Sequence, residues 1–249
     1  MLTSLDFLAT GKPWPPPTEA ERLERYAQNR LLFEGKHEQV FRDWIRLLRE
    51  DQQATLEMIL NWYKRLTLLF ADLLLGEPPK IIAGDQDSPE QLAVERITED
   101  NGLFNVAYEV ALDVSRYGTG LFKVRYDDGR AIIEGQQPAI WFPVVKPDNL
   151  KEITAHVLGY DYEAEEPGAF GRRVKRHYLK TEVHEKGKIT TTLYELRNGT
   201  TIGEIVEQEE ANTGVDEFLV VPVNNVLTTD RMTGLDDYSD LDSIIQELE

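Results

Sequence analysis

The apolar residues between positions 56 and 74 recur at intervals of three and four, the spacing that places side chains on one face of an α-helix. The members of this stripe are Leu56, Ile59, Leu60, Tyr63, Thr67, Phe70 and Leu74. The stripe widens at residues 73–75, so we expect the end of the helix, with Phe70 and Leu74, to be buried on more than one side. We expect Gly76 to cap the helix and Pro78 to prevent its continuation.

Helix signals also precede and follow this segment. Residues 18–30 begin with Thr18 as the expected N-cap, and residues 40–48 carry apolar positions at helical spacing. A serine cap followed by a proline predicts a helix over residues 88–100. The next helix, from Leu103, ends at Tyr117, because the glycines of the break Gly118-Thr119-Gly120 interrupt it.

A last helix is expected near the end of the chain, with Ser239 as its N-cap. Its apolar stripe consists of Leu241, Ile244, Ile245 and Leu248. This helix has no C-terminal stop signal, so we expect the natural protein to continue beyond Glu249.

Elsewhere the apolar pattern has a period of two, which predicts strands. Residues 80–84 indicate one strand, and residues 121–135 indicate a hairpin with Asp128-Gly129 as its turn. From 138 to 226 the pattern is mainly β, with acidic residues at 161–166 facing basic residues at 172–176, which predicts a charge-paired hairpin. The fold class is therefore α+β: a helical N-terminal half with short hairpins, then a mainly antiparallel β region and the start of a helix.

Composition and charge narrow the function. The 249 residues suffice for one large domain or two modest ones, and the absence of cysteine excludes disulfides, thiolate nucleophiles and cysteine-based metal sites. A net charge of −18 speaks against tight wrapping of DNA and against binding to anionic lipid. The apolar run 66–75 is about half the ~20 residues that a membrane span needs, so we expect no membrane partner.

Candidate catalytic and metal sites are weak. His177 and His184 are seven residues apart in one predicted strand, so they point to opposite faces and cannot share a metal ion. The break at 118–120 follows a helix, the reverse of the order found in phosphate loops, and no serine lies in a Gly-x-Ser-x-Gly turn. We therefore expect no catalytic residue, no metal site and no cofactor.

Two alternatives to a structural role stay open. The β region 138–225 is compatible with a module that binds another protein during assembly. A hydrolase that uses a carboxylate pair among Asp127, Asp161 and Glu163 is the less favoured reading. The basic cluster 172–176 lacks the run of aromatic residues on which bases stack, so specific nucleic-acid recognition there is disfavoured.

The order of these parts resembles the portal proteins of tailed bacteriophages, in the branch common among long-tailed phages. The similar segments are NWYKRLTLLFADLLLGEPPKI, NGLFNVAYEVALDVSRYGTGLFKVRYDD, VKPDN and VVPVNN followed by YSDLDSIIQELE. In that family a helix that ends in Gly-Glu-Pro-Pro leads into a strand, a second helix ends in Tyr-Gly-x-Gly before a hairpin, and a Ser-Asp-Leu segment opens a helix towards the stem. The resemblance covers residues 56–249, and it is weakest over 163–212.

The resemblance implies a structural virion protein that is not an enzyme. It implies a homo-oligomeric ring at one capsid vertex, of about twelve subunits when the protein is full length, made in the bacterial host cytoplasm. DNA passes through this ring non-specifically. The implied partners are the terminase large subunit, capsid or scaffold proteins and head-tail adaptor proteins. Candidate structural or subunit-contact residues are Tyr63, Phe70, Leu74, Gly76, Pro78, Tyr117, Gly118, Gly120, Ser239, Ile244 and Ile245.

Family members are usually longer, so we expect this chain to be the N-terminal, wing-containing part of such a protein. We divide it into an arm over 1–50, a helical wing part with a hairpin over 51–137, a β-rich wing part over 138–226, and a linker with the start of the stem helix over 227–249.

Overall fold

The computed structural model describes residues 1–41, 61–167, 173–239 and 241. Five α-helices are present in this part of the chain: α1 (Ala20–Phe33), α2 (His37–Val40), α3 (Trp62–Leu75), α4 (Pro89–Asp100) and α5 (Leu103–Tyr117). The eight strands are β1 (Thr119–Asp127), β2 (Arg130–Gln136), β3 (Trp141–Lys146), β4 (Asn149–Pro167), β5 (Arg173–Glu185), β6 (Lys188–Arg197), β7 (Thr201–Asn212) and β8 (Val220–Asn224). The helices lie in the first half and the long antiparallel strands in the second, so the predicted α+β class is confirmed.

The chain forms two compact units. The first unit, residues 1–23 and 139–220, contains one five-stranded sheet in the order β3-β4-β5-β6-β7, with every neighbouring pair antiparallel. Its core contains Leu8, Trp14, Phe142, Val157, Leu179 and Ile202. Gly159 faces the indole of Trp14, where a Cβ would lie 2.3 Å from the ring, so this glycine lets the aromatic side chain reach the sheet.

The N-terminal segment of the first unit bonds to both edges of this sheet. Leu2 forms a parallel bridge to Val144 of β3. At the other edge, the N–H of Gly11 donates to the carbonyl of Ile202 at 2.7 Å, and the N–H of Ile202 donates to the carbonyl of Lys12 at 2.9 Å. Exposed sheet edges leave backbone groups unpaired, so the segment protects the ends of β3 and β7.

The far ends of β4 and β5 form a two-stranded ribbon, because β3 and β6 pair only with their nearer parts. One face of the ribbon is ionic: Arg173 lies 3.1 Å from Glu165, and Lys175 lies 2.5 Å from Glu163. The predicted charge-paired hairpin is confirmed. Residues 168–172, including its turn, lie outside the described residues.

The second unit, residues 24–138 and 221–249, combines the helices with a three-stranded sheet in the order β2-β1-β8. The hairpin β1–β2 turns at Asp128 and Gly129, which have φ of 46° and 78°, as expected for the predicted two-residue turn. Helix α5 packs against α3, α4 and both hairpin strands. This helix therefore forms the centre of the unit.

Three local predictions about helix ends and a strand are wrong. The helix around Tyr63 does not run through Asn61, because Asn61 is its N-cap and accepts the N–H of Lys64 at 2.9 Å. Helix α1 begins at Ala20 after a 3-10 turn, so Thr18 is not its cap. Residues 80–84 form no strand, since the amide side chain of Gln91, rather than another strand, bonds to the backbone of Ile81 and Ala83.

The predicted burial at the end of α3 is also wrong in part. Leu74 is 60% exposed, and Phe70 is half-buried. The face of α3 that packs inside the unit consists of Tyr63, Thr67 and Ala71. The predicted helix over residues 40–48 and the stripe residues Leu56, Ile59 and Leu60 lie outside the described residues, apart from Val40 and Phe41.

Candidate functional site

A buried hydrogen bond fixes the start of the C-terminal segment to α3. The hydroxyls of Thr67 and Tyr238 lie 2.8 Å apart, and both side chains are fully buried. The ring of Tyr238 meets the ring of Tyr63 edge-on at 4.9 Å, and Tyr63 in turn meets His37 at 5.4 Å. Burial raises the pKa of the Tyr238 phenol, so this side chain is a neutral hydrogen-bonding partner at physiological pH.

The residue before Tyr238 is bonded to α5. The Ser115 hydroxyl donates to a carboxylate oxygen of Asp237 at 2.7 Å, and the N–H of Asp237 donates to the Ser115 carbonyl at 3.0 Å. The other carboxylate oxygen of Asp237 accepts the side-chain amide of Asn225 at 2.6 Å. Because each oxygen of the carboxylate has a donor, this contact orients the backbone as well as holding it.

The side chain of Asp236 caps the turn that follows it. Its carboxylate accepts the N–H groups of Tyr238 and Ser239 at 3.0 and 2.9 Å, and lies 3.1 Å from the guanidinium of Arg25. Ser239 is helical and its hydroxyl donates to the carbonyl of Asp236 at 3.2 Å, so the prediction that Ser239 is the N-cap is wrong. We call Thr67, Ser115, Asp236, Asp237 and Tyr238 the anchor; it fixes residues 236–239 against α3 and α5.

The break after α5 allows backbone segments to touch. Gly118 has a φ of 75°, and a Cβ on it would lie 2.2 Å from the carbonyl oxygen of Gly234. A Cβ on Gly120 would lie 2.6 Å from the carbonyl oxygen of Val110. Tyr117 is buried, with its ring 4.9 Å from that of Tyr26. These three motif residues therefore have structural roles within the unit.

Helix α3 carries a second apolar stripe on its solvent side. Each of its members is more than one-third exposed, and they are Trp62, Leu66, Leu69 and Leu73. Their spacing of four, three and four is that of one helix face. We call this stripe the ridge. The sequence-predicted residues Leu74, Gly76 and Pro78 are exposed just beyond it, whereas Ile244 and Ile245 lie outside the described residues.

An apolar groove of about 370 Å³ lies in the same unit. Uncharged residues of the segment after α3, of α4 and α5, and of the sheet line it: Pro78, Pro79, Ile81, Thr98, Leu103, Phe104, Ala107, Phe122, Ile133 and Val221. Single exposed apolar residues are normal on protein surfaces, whereas contiguous exposed apolar surfaces are typical of interaction sites.

Two of the three carboxylates considered for catalysis, Asp127 and Glu163, have ordinary structural partners. Asp127 lies 2.8 Å from the guanidinium of Arg125, and Glu163 is paired with Lys175. His177 and His184 are seven residues apart in β5, and the pairing of β5 with β4 has no bulge between them, so the prediction that they face opposite sides of the sheet is confirmed. Within the described ranges, no group of three or more histidine or acidic residues has the geometry of a metal site.

The basic residues of the ribbon are likewise neutralised. Arg176 lies 3.2 Å from Glu166 and 2.9 Å from Glu195, and Arg173 and Lys175 are paired with glutamates across the ribbon. Arg172 lies outside the described residues. Basic side chains that are already paired with carboxylates bind phosphates less strongly, which disfavours the ribbon as a nucleic-acid site.

Sequence reasoning missed most of the anchor and the ridge. Thr67 was assigned to an apolar stripe, although a polar side chain on a buried face signals a partner elsewhere in the fold. The ridge is visible in the sequence as four further apolar residues at helical spacing, but the prediction placed only one apolar stripe on this helix. For Asp237 and Ser115 no local signal existed, because 122 positions separate them.

Among the described helices, none is long and apolar enough to cross a membrane. A family model described as "Phage portal protein, SPP1 Gp6-like" matches residues 17–249, which is most of the chain. No curated protein matches it.

Proposed function

Because the chain belongs to the phage portal protein family, we propose that it is a structural subunit of a portal ring at one vertex of a tailed-phage capsid. Double-stranded DNA passes through this ring when the terminase packages it and again when it leaves for the tail. The chain itself makes and breaks no covalent bonds. Its place is in the virion, after synthesis in the host cytoplasm.

The single observation that carries the ring is the ridge on α3. A helix that packs on one side by Tyr63, Thr67 and Ala71 and still presents four large apolar residues to solvent has one face more than its own unit uses. Subunits that associate permanently bury such faces against one another. The ridge therefore supports contact between copies of the chain.

The charge of the chain supports a role as a conduit. Each phosphate contact of a basic side chain strengthens DNA binding, and many such contacts would hold DNA in place. The chain has a net charge of −18, and the cations of its ribbon are paired with glutamates. Both features favour the passage of DNA over its tight binding. DNA is therefore a transient, non-specific partner.

The other proposed partners are proteins: the terminase large subunit, capsid or scaffold proteins and head-tail adaptor proteins. Exposed candidates for contacts are Leu74, Gly76 and Pro78, which follow the ridge along the chain. Other candidate residues support these contacts indirectly, because they hold α3 and α5 in position inside the unit: Tyr63, Tyr117, Gly118 and Gly120. Ser239, Ile244 and Ile245 belong to the helix that we propose leads towards the stem of the ring.

Native mass spectrometry and negative-stain electron microscopy over a range of chain concentrations test this function. For the full-length protein we expect one closed species of about twelve copies, seen as rings with a central hole, whereas residues 1–249 alone should be mostly monomeric or weakly associated. A full-length protein that forms only a saturating twofold dimer, or that stays monomeric at every concentration, would overturn the ring. Turnover of a substrate by the purified chain would overturn the structural assignment.

A further inference from the structure

Helix α4 lacks the packing that a helix of its length requires. It has 12 residues and none of them is buried. Isolated helices of this length are marginal in water, since most helix stability in proteins comes from burying one face. The segment before it is held by the side chain of Gln91, and Ile82 in that segment is 80% exposed. Residues 77–100 therefore form an incompletely packed arm that needs a further contact.

The groove lies along this arm, and its chemistry restricts what can fill it. None of its ten lining residues is charged, and its walls include the aromatic rings of Phe104 and Phe122. An apolar helix face that inserts side chains at positions i, i+4 and i+7 is a common occupant of such a groove. A charged or strongly polar ligand would find no partner there.

The ridge of α3 has the shape and chemistry of that occupant. Trp62 to Leu73 covers 11 helical steps, or about 17 Å at 1.5 Å per residue. Leu73 at its end is 79% exposed, so no part of the described chain covers it. Ridge and groove are both open in one chain, which means that the ridge does not fill its own groove.

A second copy of the chain is the partner that the open ridge and the open groove fit. Two chains of net charge −18 repel each other over most of their surfaces, so copies associate best through a patch without charges. Both the ridge and the groove are built from uncharged side chains. Since they are different surfaces, joining them is a head-to-tail contact, which repeats from copy to copy and closes into a ring when the rotation permits.

We propose that the ridge of one copy, Trp62, Leu66, Leu69 and Leu73, docks into the groove of the next copy, against Phe104, Phe122 and Val221. This contact rests on the proposed ring and specifies which two surfaces build it. Docking also covers the arm 77–100, so α4 becomes packed only in the assembled state.

The absence of cysteine makes disulfide cross-linking a clean test. Leu73→Cys places a thiol on the ridge, and Val221→Cys places one in the groove. Both parent residues are substantially exposed, so neither change should disturb the fold. The two single variants are mixed at equal concentration and oxidised, and each is also oxidised alone. Glu204→Cys, whose parent side chain is 85% exposed in the other unit, replaces Val221→Cys in the matched control mixture.

We expect the Leu73→Cys and Val221→Cys mixture to give a mixed disulfide dimer roughly tenfold faster than the control mixture, because docking holds the two thiols at a high effective concentration. The double variant should give a ladder of cross-linked multimers. Faster cross-linking of Leu73→Cys with itself would show a twofold ridge-to-ridge contact and overturn the proposal. Equal rates in both mixtures would overturn it as well.

A second measurement separates this proposal from the ring itself. Hydrogen exchange of α4 should slow by roughly tenfold when the chain assembles, as expected for a helix that becomes packed. If rings form but both the cross-link and the slower exchange of α4 are absent, the portal function stands and the ridge-in-groove contact is refuted. A ridge–groove cross-link in a chain that never closes into rings would refute the proposed ring and retain the contact.

Discussion

Gly118 and Gly234 bring two backbone segments into direct contact. A Cβ on Gly118 would lie 2.2 Å from the carbonyl oxygen of Gly234, and one on Gly234 would lie 2.1 Å from the carbonyl oxygen of Gly118. The carbonyl of Gly118 also accepts the N–H of Asn225 at 2.9 Å. The segment that leads to the anchor thus packs directly against the glycine break after α5.

We expect Gly118→Ala to destabilise the second unit by about 2–5 kcal/mol, the sum of a strained positive φ and a backbone clash. Gly129→Ala is the matched control, because Gly129 has a similar φ of 78° but its nearest neighbour to a Cβ is 3.9 Å away. Urea unfolding of both variants gives the comparison. Equal losses would mean that the close approach to Gly234 contributes nothing.

His156 and His184 lie opposite each other on β4 and β5, and both are buried. Nδ1 of His156 accepts the indole N–H of Trp141 at 3.0 Å, so this imidazole must be neutral there. Burial, and secondarily the neighbouring His184, lowers the pKa of His156 from 6.5 to about 4. A carboxylate oxygen of Glu182 lies 3.3 Å from Nε2 of His184.

The first unit should therefore lose stability as the pH falls below 6.5, because the unfolded chain then binds a proton that folded His156 does not. At pH 5, about 1.5 units below 6.5, the loss amounts to about 2 kcal/mol at 1.4 kcal/mol per unit. Hydrogen exchange of β4 and β5 between pH 7.5 and 5, corrected for the intrinsic exchange rate, measures it.

His156→Gln tests the assignment, since a glutamine carbonyl can accept the Trp141 N–H without titrating. This variant should lose most of the pH dependence. His177→Gln, which changes an exposed histidine of the same sheet, should keep it. A pH profile that His156→Gln leaves unchanged would assign the dependence to other groups.

The anchor predicts a coupling between Thr67 and Tyr238. Thr67→Val leaves the Tyr238 hydroxyl buried without this partner at a cost of about 1–3 kcal/mol, and Tyr238→Phe leaves the Thr67 hydroxyl with only the longer 3.4 Å bond from Ser115. Removing both hydroxyls removes the unpaired group. Tyr238→Phe and Thr67→Val should thus each destabilise the second unit, and the double variant should cost less than the sum. A double-mutant cycle measured by urea unfolding determines the coupling. Simple additivity would mean that the 2.8 Å contact contributes no specific energy.

Local chemistry made several elements of the fold predictable. The Asp128-Gly129 turn and the charge-paired ribbon depend on residues that are neighbours in sequence or across one hairpin, and both are confirmed. The break at Gly118 was predicted, although the sequence could not show that Gly234, 116 positions later, is the reason for it.

The wrong predictions for residues 80–84 and for Leu74 depended on a partner that the sequence does not name. Residues 80–84 have strand-like composition, but a strand also needs a neighbour, and Gln91 takes that place. Apolar periodicity at Leu74 shows that a face is suited to burial, but not whether the same chain buries it. For the same reason the bonds of the N-terminal segment to β3 and β7 had no sequence signal.

The exposure of Leu74 leads to a last prediction, which separates folding from assembly. In the monomer Leu74→Ala should cost less than about 1 kcal/mol, because a side chain 60% exposed gives up little buried area. Leu121→Ala, at a fully buried position of the same unit, should cost about 2–5 kcal/mol. If the end of α3 is a contact between subunits, Leu74→Ala should weaken assembly in native mass spectrometry while its monomer unfolds at nearly the wild-type urea concentration. A monomer destabilised as strongly as by Leu121→Ala would instead mean that Leu74 is buried in its own chain, and that the apolar surface available for assembly is smaller than the structure indicates.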